Sequence, residues 1–280
     1  FSSRSRRHEA CEAEVRLNRR LAPDDVYRGV VPITRIREGD RTTLKVDGKG
    51  EIVDHAVYMR RLPAHRMLDQ LLERGEIDNT MMNILAQKLA RFHDRAPTGA
   101  GIDEHGTPEA VRDKVEDVLR LLDQQSDSAE PSGSVGAADL TARQRKFLRQ
   151  YLIGALDRCE RLFRERVRDG RIREGHGDLH AGNICFDHDE PVIYDCIEFS
   201  RELRCLDVAS DLAFLAMDLD FRGFNAFGDY LVHEYVELTG DRVLPVLIDF
   251  YKTYRACVRC MVHGLEAEQT KDAEARDEAR

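Results

Sequence analysis

No tryptophan occurs among the 280 residues, and aromatic side chains make up only 7% of the chain. That leaves little from which to build a platform for stacking nucleic-acid bases. Positive charge is also short: 43 lysines and arginines stand against 52 aspartates and glutamates, for a net charge of −9. Proteins that neutralise nucleic-acid phosphates usually carry a basic surface, so this balance argues against nucleic acid as a partner. No run approaches the roughly 18 consecutive apolar residues of a membrane span, which argues against a membrane protein. A signal peptide is missing too, since Arg4, Arg6 and Arg7 lead into a charged stretch. The seven cysteines are an odd number in a chain too long to need staples, and they fit a reducing, cytoplasmic location. Cys257 and Cys260 form a CxxC without a second pair to complete a zinc site, so two small thiols on one helix is the simpler reading. GxxxxGK[ST], GxGxxG, HExxH and GxSxG are all absent.

What is present is 42% hydrophobic residues in groups, enough for a sizeable core. Arg4 to Leu21 reads as a helix stopped by Pro23. Tyr27–Ile36, Thr42–Val46 and Glu51–Met59 read as strands, the last two joined as a hairpin across Asp47-Gly48. After Leu62-Pro63 the pattern turns helical. Leu68, Leu71 and Leu72 stripe a short helix, and Asp78–Arg95, Pro108–Leu122 and Thr141–Asp169 follow. Ser126–Ala138 is rich in small and polar residues and is expected to be a mobile surface loop. Asp207–Asp220 and Phe227 to about Leu265 close the pattern as two helices, and Glu266–Arg280 is a charged, solvated tail.

The informative stretch is His176-Gly177-Asp178-Leu179-His180-Ala181-Gly182-Asn183-Ile184. It precedes two β-type runs, Ile184–Phe186 and Val192–Tyr194, which the turn Asp187–Pro191 makes a hairpin, with Asp195 at its exit. Phosphoryl transfer needs a carboxylate to accept or orient a hydroxyl proton and oxygen ligands for the metal that neutralises polyphosphate. Asp178 and Asn183 on one loop can supply the base and one ligand, and Asp195, brought alongside by the hairpin, a second ligand. Oxygen-only donors of this kind suit Mg²⁺. The competing reading is a polar turn whose Asp and Asn cap local backbone groups.

The form HGDLHxGNI resembles the aminoglycoside phosphotransferase family, a branch of the protein-kinase-like folds. The similarity extends to Cys11–Pro23, Gly29–Ile33, Tyr58–Pro63 and Asp207–Leu215, and these segments look like a bacterial branch often fused to a P-loop ATPase domain. The resemblance implies an α+β, two-lobed protein-kinase-like fold: a truncated, β-rich small lobe (1–58), a hinge (59–63), a mainly helical large lobe (64–265) and the tail (266–280). It implies ATP and Mg²⁺ as cofactors and a small-molecule hydroxyl as acceptor. On that basis Asp178 is the expected base, Asn183 and Asp195 the metal ligands, and Met59, Arg60 and Leu62 the hinge segment that meets adenine. Glu14 is the expected partner of a phosphate-binding lysine, with Glu12 as the competing candidate. Asp207 and Asp211 are expected to brace the catalytic loop. His176 and His180 are read as loop supports or substrate contacts, and Glu198 as either a substrate or metal contact or a solvated strand-end residue. His93-Asp94 is read as the end of a core helix.

One departure stands out. In the family, a glycine-rich loop and a strand lysine precede the helix that carries the glutamate, whereas here Lys45 and Lys49 come after it. Phe rather than Met at position 1 leads us to expect a chain that begins within a longer protein, able to fold alone but not to turn over. The rival function is a non-catalytic kinase-like module that binds ligand or partner and regulates an attached ATPase.

Overall fold

Ser3 caps the first helix: its side chain accepts from the backbone N–H of Arg6, and α1 runs Arg4–Asn18. The computed structural model describes residues 3–38, 41–128 and 140–278. Helix α1 lies against a three-stranded antiparallel sheet of β1 (Tyr27–Glu38), β2 (Arg41–Val46) and β3 (Glu51–Met59), in the order β2-β1-β3. The strands fall where the sequence predicts, but their pairing differs. β2 and β3 do not form a hairpin: each pairs with β1, through Ile33↔Val46 to Glu38↔Arg41 on one side and Tyr27↔Met59 to Arg35↔Glu51 on the other. The Asp47-Gly48 segment therefore crosses from one edge of β1 to the other, and Asp47 N–H donates to Pro32 O on the way. A turn-forming pair marks a reversal but does not say which strand the chain rejoins.

Beyond the hinge the large lobe is mainly helical. It contains α2 (Leu68–Glu73), α3 (Asn79–Arg95), α4 (Pro108–Ser128) and α5 (Ala142–Arg168), then β4 (Ile172–Glu174), β5 (Ile184–Asp187) and β6 (Glu190–Ile193). It closes with α6 (Arg201–Arg204), β7 (Cys205–Asp207), α7 (Val208–Phe221), α8 (Asn225–Thr239) and α9 (Leu244–Glu278). Two helix starts carry the caps that their sequences advertise. Asp78 accepts from Met81 N–H, and Thr141 forms a reciprocal capping box with Gln144. Of the stretch read as a mobile loop, 126–138, the first three residues instead end α4 and the rest lies outside the described residues.

Two expectations need correcting. The run from Phe227 to Leu265 is not one helix: Gly240, in the left-handed region at φ 65°, ends α8 before α9 begins. The backbone of the charged tail also continues as helix α9 to Glu278 rather than fraying after Leu265. Two short strands, β4 and β7, went unread because each is only three residues long; they pair with each other antiparallel and frame the functional loop.

The main core joins α2–α5 to α7–α9, with Leu85, Leu152, Phe163, Leu212, Leu231 and Phe250 among its buried side chains. A separate cluster of Val15, Val26 and Tyr27 serves the small lobe and takes in Val192 from β6, so the two lobes meet through apolar contact. Within the large lobe lies a buried ionic knot. Arg166, 1% exposed, donates from Nε and Nη2 to both carboxylate oxygens of Asp207, and from Nη1 to Asp241 at 2.8 Å. Tyr251 O–H donates to the same Asp207 at 3.2 Å.

Removing the cation would leave two buried carboxylates facing each other. Arg166→Leu should destabilise the protein by about 3–5 kcal/mol, the usual cost of stranding one side of a buried pair. Urea unfolding would measure it, and a loss below about 1 kcal/mol would mean that the knot contributes little.

Candidate active site

The loop from Gly175 to Asn183 links β4 to β5, and its shape is set by one buried carboxylate. Asp211, in the first turn of α7 and 0% exposed, accepts from His176 N–H at 2.7 Å and Gly177 N–H at 2.9 Å. His93 Nε2 lies 3.2 Å from the same group, and His93 Nδ1 is 2.8 Å from the Tyr235 hydroxyl. Burial opposes the charge on Asp211, but the His93 hydrogen bond and charge, helped by His176, outweigh it and hold the carboxyl well below the usual range. A Cβ at Gly175 would sit 2.6 Å from Asp211 Oδ2, so only glycine lets the loop approach this closely. Two further groups hold the loop: Asp218 accepts from Ala181 N–H at 2.9 Å, and Arg255 donates to Gly177 O at 3.1 Å.

His176 is fully buried and joins two segments. Its Nδ1 accepts from Asp178 N–H at 3.2 Å, while Nε2 donates to Tyr194 O at 2.9 Å, next to Asp195. Burial lowers its pKa, which keeps the ring neutral. Asp178 is half-buried; Asn183 donates from Nδ2 to its backbone oxygen at 3.0 Å and to its carboxylate at 3.4 Å. Burial opposes the charge of Asp178, but His180, 3.6 Å away, together with His176 and Arg255, brings its pKa below the ordinary value. His180 itself accepts from Gly182 N–H at 3.1 Å, a loop-bracing contact.

Asp195 is exposed at the end of the β5–β6 hairpin, in the left-handed region at φ 64°. Glu14 faces it from α1: burial, then the charges of Glu198 and Asp195, push the Glu14 carboxyl up to about 7. Glu12 instead points to solvent and pairs with His8 at 3.6 Å. Of the two glutamates, Glu14 is the one turned toward the loops. It makes no ion pair among the described residues, and Lys45 is on the exposed edge strand β2. Two neighbours from the small lobe tie this cluster down. Asn18 accepts from Cys196 N–H at 2.9 Å, and Arg20 donates to the carbonyls of Glu174 and Gly175 at 2.7 and 3.0 Å.

The hinge residues line an open cavity of about 410 Å³, with Met59, Leu62, Met67 and Tyr194 among its walls. Its size and apolar walls suit a planar heterocycle. Arg60 lines the cavity as well, while its N–H donates to Val26 O and its guanidinium pairs with Asp25 at 2.8 Å and Asp187 at 2.7 Å, bridging the lobes.

Sequence reasoning missed Asn18, Arg20, His93, Asp218 and Arg255. For His93 a signal existed, since it continues the buried stripe Met82, Leu85, Ala86, Leu89 of α3, and a histidine there needs a partner. Asp211 braces the loop as expected. Asp207 does so only indirectly, by capping α7 at Ala209 N–H and pairing with Arg166. Among the described residues, no group of three or more His, Cys, Asp or Glu could by itself hold a metal. No described helix is long and apolar enough to cross a membrane.

A model of the phosphotransferase enzyme family matches residues 1–246. The chain belongs to that family, and its described fold is a mixed α+β arrangement of a small antiparallel-sheet lobe and a mainly helical lobe. An uncharacterized protein of Mycobacterium tuberculosis (strain H37Rv) is 34% identical over 280 residues, covering 100% of this chain and 52% of that protein. An uncharacterized protein of Mycobacterium bovis is similar to the same extent, 34% over 280 residues. The chain thus spans about half the length of the curated relatives it matches. Among solved structures, a Plasmodium vivax ethanolamine kinase aligns with a TM-score of 0.47 at 12% identity, over 93% of this chain and 66% of that one.

The position of Glu14 has a pH signature. Its carboxyl titrates near 7 in the fold and near 4.5 when unfolded, so between those values the folded state holds a proton that the unfolded chain has lost. Stability should therefore fall as pH rises through that window. Glu14→Gln should flatten the slope, melting above the wild type beyond pH 7 and level with it below pH 4.5. Identical melting profiles across pH would show that burial and the charges of Glu198 and Asp195 do not raise the Glu14 carboxyl.

Proposed function

We propose that the protein is an ATP-dependent phosphotransferase acting on the hydroxyl of a small molecule. The observation that carries this reading is the double hydrogen bond of His176, which holds the Asp178 loop and the Asp195 segment side by side. Asp178, ionised at neutral pH, would accept or orient the acceptor's hydroxyl proton. Asn183 uses its amide nitrogen on Asp178, leaving its oxygen, with the Asp195 carboxylate, as donors for Mg²⁺. The donor set is of the right kind, an amide oxygen and a carboxylate, both hard oxygen donors. When bound, ATP and Mg²⁺ would supply the phosphoryl group and neutralise its charge. The cavity bounded by Met59, Leu62 and Tyr194 would take the adenine. Arg60 would contribute by holding the hinge between Asp25 and Asp187 rather than by touching nucleotide.

A second reading is favoured by one observation, the absence of a described cation beside Glu14. In that reading the chain is a non-catalytic, ligand-binding module that regulates an attached P-loop ATPase. ADP release by the full-length protein, screened against sugars, amino sugars and aminoglycosides, separates the two: no turnover with any hydroxyl acceptor would favour the regulatory reading.

Asp178→Asn should lower turnover by at least about 100-fold while leaving nucleotide affinity nearly unchanged, because a base acts mainly in the transition state. Wild-type turnover in the variant would remove Asp178 from the role of base. Asp195→Ala should instead abolish the Mg²⁺ dependence of ATP binding measured by calorimetry. Equal metal dependence in variant and wild type would exclude Asp195 as a ligand.

A further inference from the structure

Four cations line one cavity of a molecule whose net charge is −9. Arg20 comes from the segment between α1 and β1, while Lys88, Arg91 and Arg95 come from the C-terminal half of α3. Glu190, at the start of β6, is the one carboxylate residue on its wall. The cavity measures about 420 Å³ and shares no lining residue with the hinge cavity. That volume falls in the range of about 300–1,000 Å³ typical of small-molecule sites.

Arg20 is fully used by the protein: it grips the Glu174 and Gly175 carbonyls and lies 5.1 Å over the Phe92 ring. The other three are not. Lys88, Arg91 and Arg95 make no ion pair or side-chain hydrogen bond among the described residues. Burial lowers the pKa of Lys88; Glu190 resists the shift and Arg91 adds to it. An ammonium in this position has given up hydration without gaining an acceptor, and its cationic neighbours repel it. One anion with several oxygens removes both costs. A phosphate group matches such a set, because its oxygens accept from guanidinium forks and an ammonium at the same time.

We propose that this cavity, at the junction of the two lobes, binds a small phosphorylated anion through Lys88, Arg91 and Arg95. Arg20 shares its wall and holds the carbonyls that lead into His176. An occupant would therefore fasten α3 to the base of the catalytic loop. The assignment is independent of any catalytic role for Asp178 or Asp195.

Calorimetry of the full-length protein with sodium pyrophosphate, in EDTA and with ionic strength matched by sodium chloride, provides the test. The wild type should bind saturably and melt at higher temperature when occupied. The Lys88→Met/Arg91→Gln double variant should bind at least about tenfold more weakly, as the loss of two charge-assisted hydrogen bonds requires. If circular dichroism shows that the double variant has lost its fold, Arg95→Gln, altered at an exposed position, decides in its place. No saturable binding to the wild type overturns the proposal. So does undiminished affinity in a folded variant, which would put the anion in the cleft beside Asp178. Sodium acetate provides the last arm: binding as tight as that of pyrophosphate would overturn the assignment to phosphate.

Discussion

A single buried charge organises the loop that bears Asp178 and Asn183. Asp211 has no exposed surface, so its ionised form survives only if every lost water contact is replaced. The replacements are specific: two consecutive backbone N–H groups, from His176 and Gly177, and the His93 ring. Those two N–H groups can point at one carboxylate only if the chain turns sharply, and that turn is what projects Asp178 away from the core. Tyr235 extends the arrangement by fixing the His93 ring, so four elements, α3, α7, α8 and the loop, share one hydrogen-bonded unit. Partial loss would be worse than none, because any missing partner leaves a buried polar group without compensation.

The small lobe reaches the same loop by a different device, side chains that capture backbone carbonyls and amides across the lobe boundary. Arg20 takes the Glu174 and Gly175 carbonyls, Asn18 takes Cys196 N–H, and Arg60 pairs with Asp25 on one side and Asp187 on the other. Each is a hydrogen bond between polar groups rather than a large apolar interface. From the large lobe, Val192 is buried in the small-lobe core and Tyr194 packs against it. The geometry of Glu14 relative to Asp195 thus depends on a few directional contacts, which makes lobe orientation adjustable without unfolding either core.

Much of this was legible from the sequence, and the failures have physical causes. Helix and strand positions followed from caps and periodicity, as at Asp78, Thr141 and Pro108. The Asp178, Asn183 and Asp195 set was visible as a motif because phosphoryl transfer would demand those residue types at close spacing. Strand pairing was not: the Asp47-Gly48 turn looks the same whether β3 returns beside β2 or crosses to the far edge of β1. Asn18, Arg20 and Arg255 were invisible for a related reason. Their partners in and around the functional loop are backbone carbonyls and amides more than 75 positions away, and a carbonyl carries no sequence signature.

The carboxylates divide into two populations, and the division itself carries functional information. Asp207 and Asp241 share Arg166, Asp211 has His93 and two amides, and Asp218 has Arg222 and the Ala181 amide. Each of these is nearly fully buried, and each has its charge answered by the protein. Glu14, Asp195 and Glu198 do the opposite: they gather within electrostatic reach of one another with no cation among the described residues, and burial together with those charges lets Glu14 hold its proton up to about pH 7. Folding gains nothing from placing unanswered like charges together, and the buried carboxylates of the same chain avoid it. The unanswered groups, these acids beside the Asp178 loop and the cations Lys88, Arg91 and Arg95, thus stand apart from the buried carboxylates, whose charges are spent on holding the fold.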